Sequence, residues 1–381
     1  MAESAVWGVL AKRRAQLVRF AVVAFALGAV ASVVDRVPAV SAPAPAPARS
    51  GAAAAARPFG SLRIVWAGDI VLGSDAGAAT DDGRALFAHV TDQITSADVA
   101  IGNLEGTLTQ QGYSKCGGSS SGACFAFRAP ATTAVALRDA GFDVLNVANN
   151  HANDYGEVGQ QDTLDALRAQ GLAWAGKPGA VSLVHGGGRT IALVGFSCYP
   201  WSSDMRDLPG VQALVGRAKA AADIVIVLMH AGAEGTGATH VPQGVETAFG
   251  ENRGDTRAFA HAAVDAGADV VLGSGPHVLR GIERYQGRVI AYSLGDFAAW
   301  GVLPTSGVMG TTGLLELDLA HDGRPLAGRL TSLRLDSPGI PVDDPGHAGA
   351  DLVTQLSQED FGASGVTVDR YGQLKLGSPG G

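Results

Sequence analysis

From Leu62 onward, short apolar runs alternate with stretches whose apolar residues recur at helical spacing. "LRIVWAGD" (62–69) has the length and continuity of a buried strand, and residues 84–96 place Leu86, Phe87, Val90 and Ile94 on one helical face. "ADVAIGN" (97–103) predicts a second strand, residues 131–140 a short helix, and "FDVLNVA" (142–148) a third strand. A helix over 158–170 carries Leu164 and Leu167 and leads into "LAWAG" (172–176). "AVSLVHGGGRTIALVGF" (180–196) reads as a hairpin turning on three glycines. A helix near 209–221, the strand "ADIVIVLMH" (222–230), a helix near 254–266 and "ADVVLGSG" (268–275) continue the alternation.

The pattern then changes. "RGIERYQGRVIAYSLG" and "TGLLELDLAHDGRPLAGRLTSLRL" read as antiparallel strands joined by Gly-containing turns. In the tail, "ADLVTQLSQEDFG" predicts a helix and "GVTVDRYGQLKL" a hairpin. Alternating α/β units followed by a β-rich half predict one α/β domain over 60–376, with sheets packed together and helices outside.

The first residues are of different character. Residues 1–19 carry Lys12, Arg13, Arg14 and Arg19, and an uncharged apolar stretch runs from Phe20 to Val34. A membrane segment over 20–36 is therefore expected, as a signal anchor or the apolar region of a signal peptide. The positive flank on its N-terminal side directs the C-terminal remainder of the chain across the membrane. The expected location is the cell membrane, single-pass with the N-terminus inside and the domain outside, with secretion as the alternative. Residues 37–59, Ala/Pro-rich and without periodicity, read as a tether.

The 381 residues can bury a sizeable core, and length alone allows one large domain or two smaller ones. Net charge is −8, with no Lys/Arg-rich block in the body of the chain. Phosphate backbones need a clustered positive footprint, so no nucleic-acid partner is expected. Cys116 and Cys124 flank "CGGSSSGAC", a loop that a disulfide can close in an oxidising compartment, and Cys198 reads as an inert core thiol.

Five polar clusters each follow a predicted strand. They contain Asp69; Asn103 and Glu105; Asn149, Asn150, His151 and Asp154; His230 and Glu234; and His277. Ligands gather at the carboxyl ends of strands in α/β sheets. Carboxylate, amide and imidazole groups converging there form a donor set for a divalent cation such as Mn²⁺, Zn²⁺ or Fe²⁺, one ion or two. A lone Asp after a strand is more often a helix cap, and a lone His is usually structural. His89, His185, His261 and His321 are read that way, and His240 and His347 as loop residues without carboxylate company.

"GDIVLGSD", "NLEGTLT", "NVANNHANDYGEVGQQDTLDALRAQG", "MHAGAEG" and "GADVVLGSGPHVLRGIERYQGRVIAYSLGDF" stand in the order and spacing of the CapA family of poly-γ-glutamate capsule-biosynthesis proteins. The chain resembles that family over roughly residues 61–335. The resemblance implies a membrane-anchored protein with its domain outside, and a four-layer αββα sandwich like that of calcineurin-type metallophosphoesterases. It puts Asp69, Glu105, Asn150, His230 and His277 at metal-facing positions and His151 at the place of the histidine that protonates a leaving group. Glu234 is a further ligand or base, and Asp154 and Asn149 orient His151. Asn103, Asn149 and Asp296 are candidate additional ligands. Three positions depart from the pattern. Ile70 and Val71 follow Asp69 where phosphoesterases carry Asp-x-His, Gly275 replaces a histidine before Pro276, and Asp296 replaces an amide in "SLGDF".

The expected function is in capsule or poly-γ-glutamate-type polymer biosynthesis or export. The expected partners are an anionic polymer or a phosphorylated intermediate, with membrane subunits of the export machinery. Two alternatives stand beside it: an extracytoplasmic metal-dependent phosphoesterase without a capsule role, and a non-catalytic assembly component.

Overall fold

The computed structural model describes residues 57–117 and 124–377. The expected segments 1–19 and 20–36, and most of the tether 37–59, lie outside these. Among the described residues no helix is long and apolar enough to cross a membrane.

The main strands are β1 (Leu62–Val71), β2 (Val99–Leu104), β3 (Val144–Asn146), β4 (Ala173–Ala175), β5 (Ser182–Gly186), β6 (Arg189–Ser197) and β7 (Ile224–His230). They continue with β8 (Val270–Ser274), β9 (Ile282–Tyr285), β10 (Arg288–Ala291), β11 (Asp296–Ala299), β12 (Thr311–Leu319), β13 (Pro325–Asp336) and β14 (Ile340–Asp343). One mixed sheet runs β14-β13-β12-β1-β2-β3-β4, with β11 also paired to β1. A second mixed sheet runs β6-β7-β8-β10-β9, with β5 and a short strand at Ser203–Asp204 on the β6 side.

Three apolar clusters explain the layering. Trp66, Ile101, Val144, Leu193, Leu228, Leu272 and Leu315 meet between the sheets. The far face of the first sheet packs on α2 (Ala134–Ala140) and α3 (Gly156–Ala169) through Leu137, Leu164 and Leu167. The far face of the second packs on α4 (Leu208–Ala221) and α5 (Thr256–Asp265) through Val211, Leu214, Phe259 and Ala263. Strands buried on both faces read as continuous apolar runs, which is why β1, β7 and β8 were visible in the sequence. The order helix, sheet, sheet, helix is the expected four-layer sandwich.

One predicted helix is broken. Over 84–96 the chain forms a tight turn at Asp81–Phe87, with Asp82 and Gly83 at φ 50° and 85°, and then a five-residue helix, α1, from Thr91 to Thr95. Leu86, Phe87, Val90 and Ile94 are all buried in the same core, so the spacing reported burial correctly while the backbone bends between them. The tail helix (Ala348–Phe361) and the hairpin pairing Thr367–Val368 with Leu374–Lys375 fold onto the domain.

Candidate metal centre

The strand register brings the polar clusters together. Asp69 lies opposite Asn103 of β2 on one side and Asp296 of β11 on the other. Glu105 follows β2 directly, His230 ends β7 opposite Ser274 of β8, and His277 lies three residues past that strand. The two sheets are joined here by Trp66 Nε1 donating to the Gly273 carbonyl at 3.2 Å. A side chain at Gly68 would collide with the Gly295 carbonyl, so a glycine there lets "SLGDF" cross beneath Asp69. His277 itself holds a left-handed backbone, φ 60°, a costly conformation for a non-glycine residue and one that clusters at functional sites.

Glu105 sits at the centre. It is 1 % exposed, and its Oε1 lies 3.8 Å from His151 Nε2, 3.8 Å from His230 Nε2 and 3.7 Å from His277 Nε2. Two imidazoles are held by carboxylates at their far nitrogens. His277 Nδ1 donates to Asp296 Oδ1 at 2.8 Å, and His151 Nδ1 to Asp154 Oδ2 at 2.6 Å. In the neutral ring, a proton at Nδ1 leaves the Nε2 lone pair turned toward Glu105. His230 Nδ1 has two neighbours at 3.2 Å, Ser274 Oγ, which can accept from it, and Asn103 Nδ2, which can only donate to it; the Nδ1–H tautomer uses the first.

The fit to a cation follows from groups left unsatisfied. Both Glu105 oxygens, Asn150 Oδ1, His230 Nε2 and Asp296 Oδ2 are buried without a hydrogen-bond partner among the described residues. Buried polar atoms are normally paired, and every one of these offers a lone pair, so a positive ion is the partner they lack. Asp69, Glu105 and His230 form one cluster whose ligand atoms lie within 4.8 Å of one another, and Asp69, His277 and Asp296 a second. Asp69 belongs to both.

Electrostatics point the same way. Burial lifts Glu105 well above the usual carboxylate range, and the charges of Asp69, Glu234 and Asp296 add to that against the pull of His277. Burial raises Asp296 to about 6 and lowers His230 to about 3. Burial also opposes charge on Asp69, but hydrogen bonding from His277 and the Gly275 N–H and the nearby imidazoles hold it below its ordinary value. His277 is disfavoured as a cation by burial, yet Glu105 and Asp296 outweigh this and raise it well above the usual histidine value. Three carboxylates, Asp69, Glu105 and Asp296, crowded into a dry pocket are a poor arrangement without positive charge.

The remaining predicted residues divide into groups. Asn103 is not free to ligate through oxygen: its Oδ1 accepts from Asn146 Nδ2 at 2.9 Å and Asn149 Nδ2 at 3.3 Å, while its Nδ2 donates to Asp69 Oδ1 at 2.7 Å. Asn149 likewise spends its oxygen on the His151 N–H at 3.1 Å and its amide on the Leu104 carbonyl at 2.8 Å. Both hold the loop rather than a metal. Asp154 Oδ2 accepts from His151 Nδ1, the contact through which it would orient the ring. Glu234 reaches the site edge, 3.9 Å from His277 Nε2, but its carboxylate is ion-paired with buried Arg253. Arg253 holds Oε1, while Oε2 is the oxygen turned to His277. Outside the site, His240 does have carboxylate company, with its Nδ1 2.8 Å from Asp360. The expected disulfide Cys116–Cys124 is formed, and Cys198 is buried.

Gly275, which departs from the family pattern, has φ 108° and donates its N–H to Asp69 Oδ2 at 3.1 Å. A Cβ there would come within 3.1 Å of His230 Nε2, so the space next to that imidazole is kept open. Sequence reasoning missed Lys115, Phe127 and Arg253. Lys115 Nζ is 2.6 Å from Asp154 Oδ1, and the Phe127 ring stacks on His151 at 3.9 Å between centroids.

Comparison with known proteins adds the family. The family described as bacterial capsule synthesis protein PGA_cap matches residues 63–299. The chain is 32 % identical over 250 residues to the PGA biosynthesis protein CapA of Bacillus subtilis (strain 168), covering 60 % of this chain and 61 % of that one. It is 30 % identical over 237 residues to the capsule biosynthesis protein CapA of Bacillus anthracis, covering 56 % and 53 %. The match thus spans roughly half to three fifths of these relatives' length. Among solved structures, a 5'-nucleotidase precursor from Thermus thermophilus aligns over 78 % of this chain and 59 % of its own, at 15 % identity and a TM-score of 0.39.

Proposed function

The chain belongs to the bacterial capsule synthesis protein family, and from that premise we propose that it is an exported, membrane-tethered protein of poly-γ-glutamate-type polymer production, with a divalent cation at its strand ends. The observation that carries this reading is Glu105, buried, unpartnered and facing three imidazole Nε2 atoms. Asp69, Glu105, Asn150, His230, His277 and Asp296 would hold one or two Mn²⁺, Zn²⁺ or Fe²⁺ ions. When bound, such an ion neutralises and polarises an oxyanion of the substrate, whether the anionic polymer or a phosphorylated intermediate. Asp154 keeps one His151 proton at Nδ1, Phe127 pins the ring, and Nε2 faces the pocket, where a second proton taken up from water at Nε2 would be the one passed to a leaving oxygen.

Metal analysis of the full-length chain, purified without chelators, tests this together with polymer output in cells. At least one transition-metal equivalent is expected, lost in Asp69→Ala, with polymer output falling in both Asp69→Ala and His151→Ala. No bound metal, with output unchanged in both variants, overturns it. A second reading, a metal-dependent phosphoesterase without a capsule role, is favoured by the His151–Asp154 pair, since a scaffold needs no positioned proton donor. Metal-dependent turnover of an aryl phosphate that His151→Ala abolishes would support that reading. Absence of turnover alongside intact polymer assembly in the site variants would instead favour a non-catalytic component.

A further inference from the structure

Asp154 receives three contacts besides His151, and all come from the two arms of one loop. On the first arm, Lys115 Nζ lies 2.6 Å from Asp154 Oδ1 and the Lys115 N–H donates to the Asp154 carbonyl at 2.7 Å. On the second, the Phe127 N–H donates to Asp154 Oδ2 at 2.6 Å, and its ring covers His151 with an interplanar angle of 18°. Cys116 directly follows Lys115, and Cys124 precedes Phe127 by three residues; the two are disulfide-bonded.

The arms are not equally well held. Phe127 is buried and adjoins Arg128–Ala129, which pairs with Thr107–Leu108. The first arm, 111–117, has no helix or strand and is largely exposed, with Tyr113 95 % exposed and the Lys115 side chain 36 % exposed. Segments with few buried contacts open most readily. The crosslink one residue from Lys115 ties this arm covalently to the second.

We propose that the Cys116–Cys124 disulfide delivers Lys115 to the Asp154–His151 pair as a positioning residue, so that the geometry of His151 depends on the oxidation state of this loop. The inference rests on His151 being the proton-handling group. Lys115 pairs with the second oxygen of Asp154 and stands beside the imidazole, 3.5 Å from His151 Nδ1, closing the carboxylate into one orientation. Reduction breaks the Sγ–Sγ bond. It takes two electrons and two protons from a dithiol, which leaves as its cyclic disulfide, and produces two thiols. The arm is then tied only by its own contacts, and Lys115 leaves Asp154.

The test uses the full-length chain labelled with ¹⁵N-histidine, and tracks the His151 Nδ1–H resonance, assigned by its disappearance in His151→Gln. The oxidised chain should show the resonance. It should shift or be lost on treatment with dithiothreitol, in Cys116→Ser/Cys124→Ser and in Lys115→Ala, with no added effect of reduction in Lys115→Ala. Lys115→Arg should restore it. A resonance indifferent to reduction, indifferent to Lys115→Ala, or not restored by Arg overturns the proposal. Reduction of the unmutated chain guards against a variant that fails to fold. Metal content of the same samples separates this idea from the functional reading. Metal present with an uncoupled resonance sinks only the former, and metal absent with a coupled resonance sinks only the latter.

Discussion

Two buried glutamates, each beside histidine, have opposite surroundings. Glu283 is 2 % exposed, and its Oε2 accepts from His261 Nε2 at 2.9 Å and Tyr292 OH at 2.8 Å; Ser364 Oγ and Arg257 serve Oε1. Burial alone would raise it, yet these partners bring it below the usual carboxylate value. Glu105 is as deeply buried, has no hydrogen-bond partner at either oxygen among the described residues, and is pushed well upward. A histidine beside a carboxylate therefore does not mark a site. What marks one is a set of lone pairs converging on space that the protein does not fill.

The sharpest way to break this contrast is to neutralise each glutamate without changing its shape. Glu105→Gln should lower metal content by at least about tenfold, as loss of a ligand does at least as much as loss of a supporting contact. The metal-free Glu105→Gln protein should also be more heat-stable than the metal-free parent, because it removes a carboxyl that burial forces away from its ordinary ionisation. Glu283→Gln should keep its metal. Equal metal loss in both variants would erase the distinction.

The next effect is pH dependence. Asp296 is raised in the folded chain to about 6, against an ordinary value of 3.8, so the folded state holds its proton more tightly than the unfolded state. Its contribution is therefore fully present below pH ~4 and lost as pH rises through about 6. Metal-free parent protein should lose up to about 3 kcal/mol relative to Asp296→Asn across that window. Bound cation should abolish the difference. Glu283 has the opposite sign: lowered on folding, its contribution is lost only as pH falls through its folded value. Thermal unfolding of parent, Asp296→Asn and Glu283→Gln between about pH 2 and about pH 7, with and without chelator, measures both. A metal-free parent no more pH-sensitive than Asp296→Asn would show that Asp296 is not under this strain.

A smaller loss is expected from Glu283→Gln at neutral pH, about 1–3 kcal/mol, because the amide satisfies His261 and Tyr292 less well than a carboxylate. Calorimetry should register it as a melting temperature lower by a few degrees. No change would mean that the Glu283 network is not stabilising.

The sequence made one half of this comparison legible and hid the other. The long buried strands announced themselves by apolar runs, and their ends carried Asp69, Glu105, His230 and His277 in recognisable motifs. Asp296 was visible as a departure, but its place beside Asp69 depends on parallel pairing of β11 with β1, between segments more than 200 residues apart. No local pattern reports such a pairing. Glu283 and His261 lie on a strand and a helix, where each passes for an ordinary residue. Lys115 and Arg253 come from loops, whose contacts follow no period. The predicted 84–96 helix failed for a related reason: apolar spacing records which residues are buried, and a bent chain can bury the same residues as a straight helix.

His240 supplies the third term of the comparison. Its Nδ1 is 2.8 Å from Asp360 and its Nε2 3.9 Å from Glu359, so by composition it too is a histidine between two carboxylates. Its side chain is 55 % exposed, and Asp360 Oδ2 also accepts from the Val241 N–H at 2.9 Å. Water screens the pair, and the backbone satisfies the carboxylate without it. His240→Ala should cost less than about 1 kcal/mol, much of it removed by raising the salt concentration, and should leave metal content unchanged. Thermal unfolding at two ionic strengths and metal analysis of that variant check both parts. If His240→Ala emptied the chain of metal as Glu105→Gln should, burial and unpaired atoms would lose their value as the criterion separating a site from an ion pair.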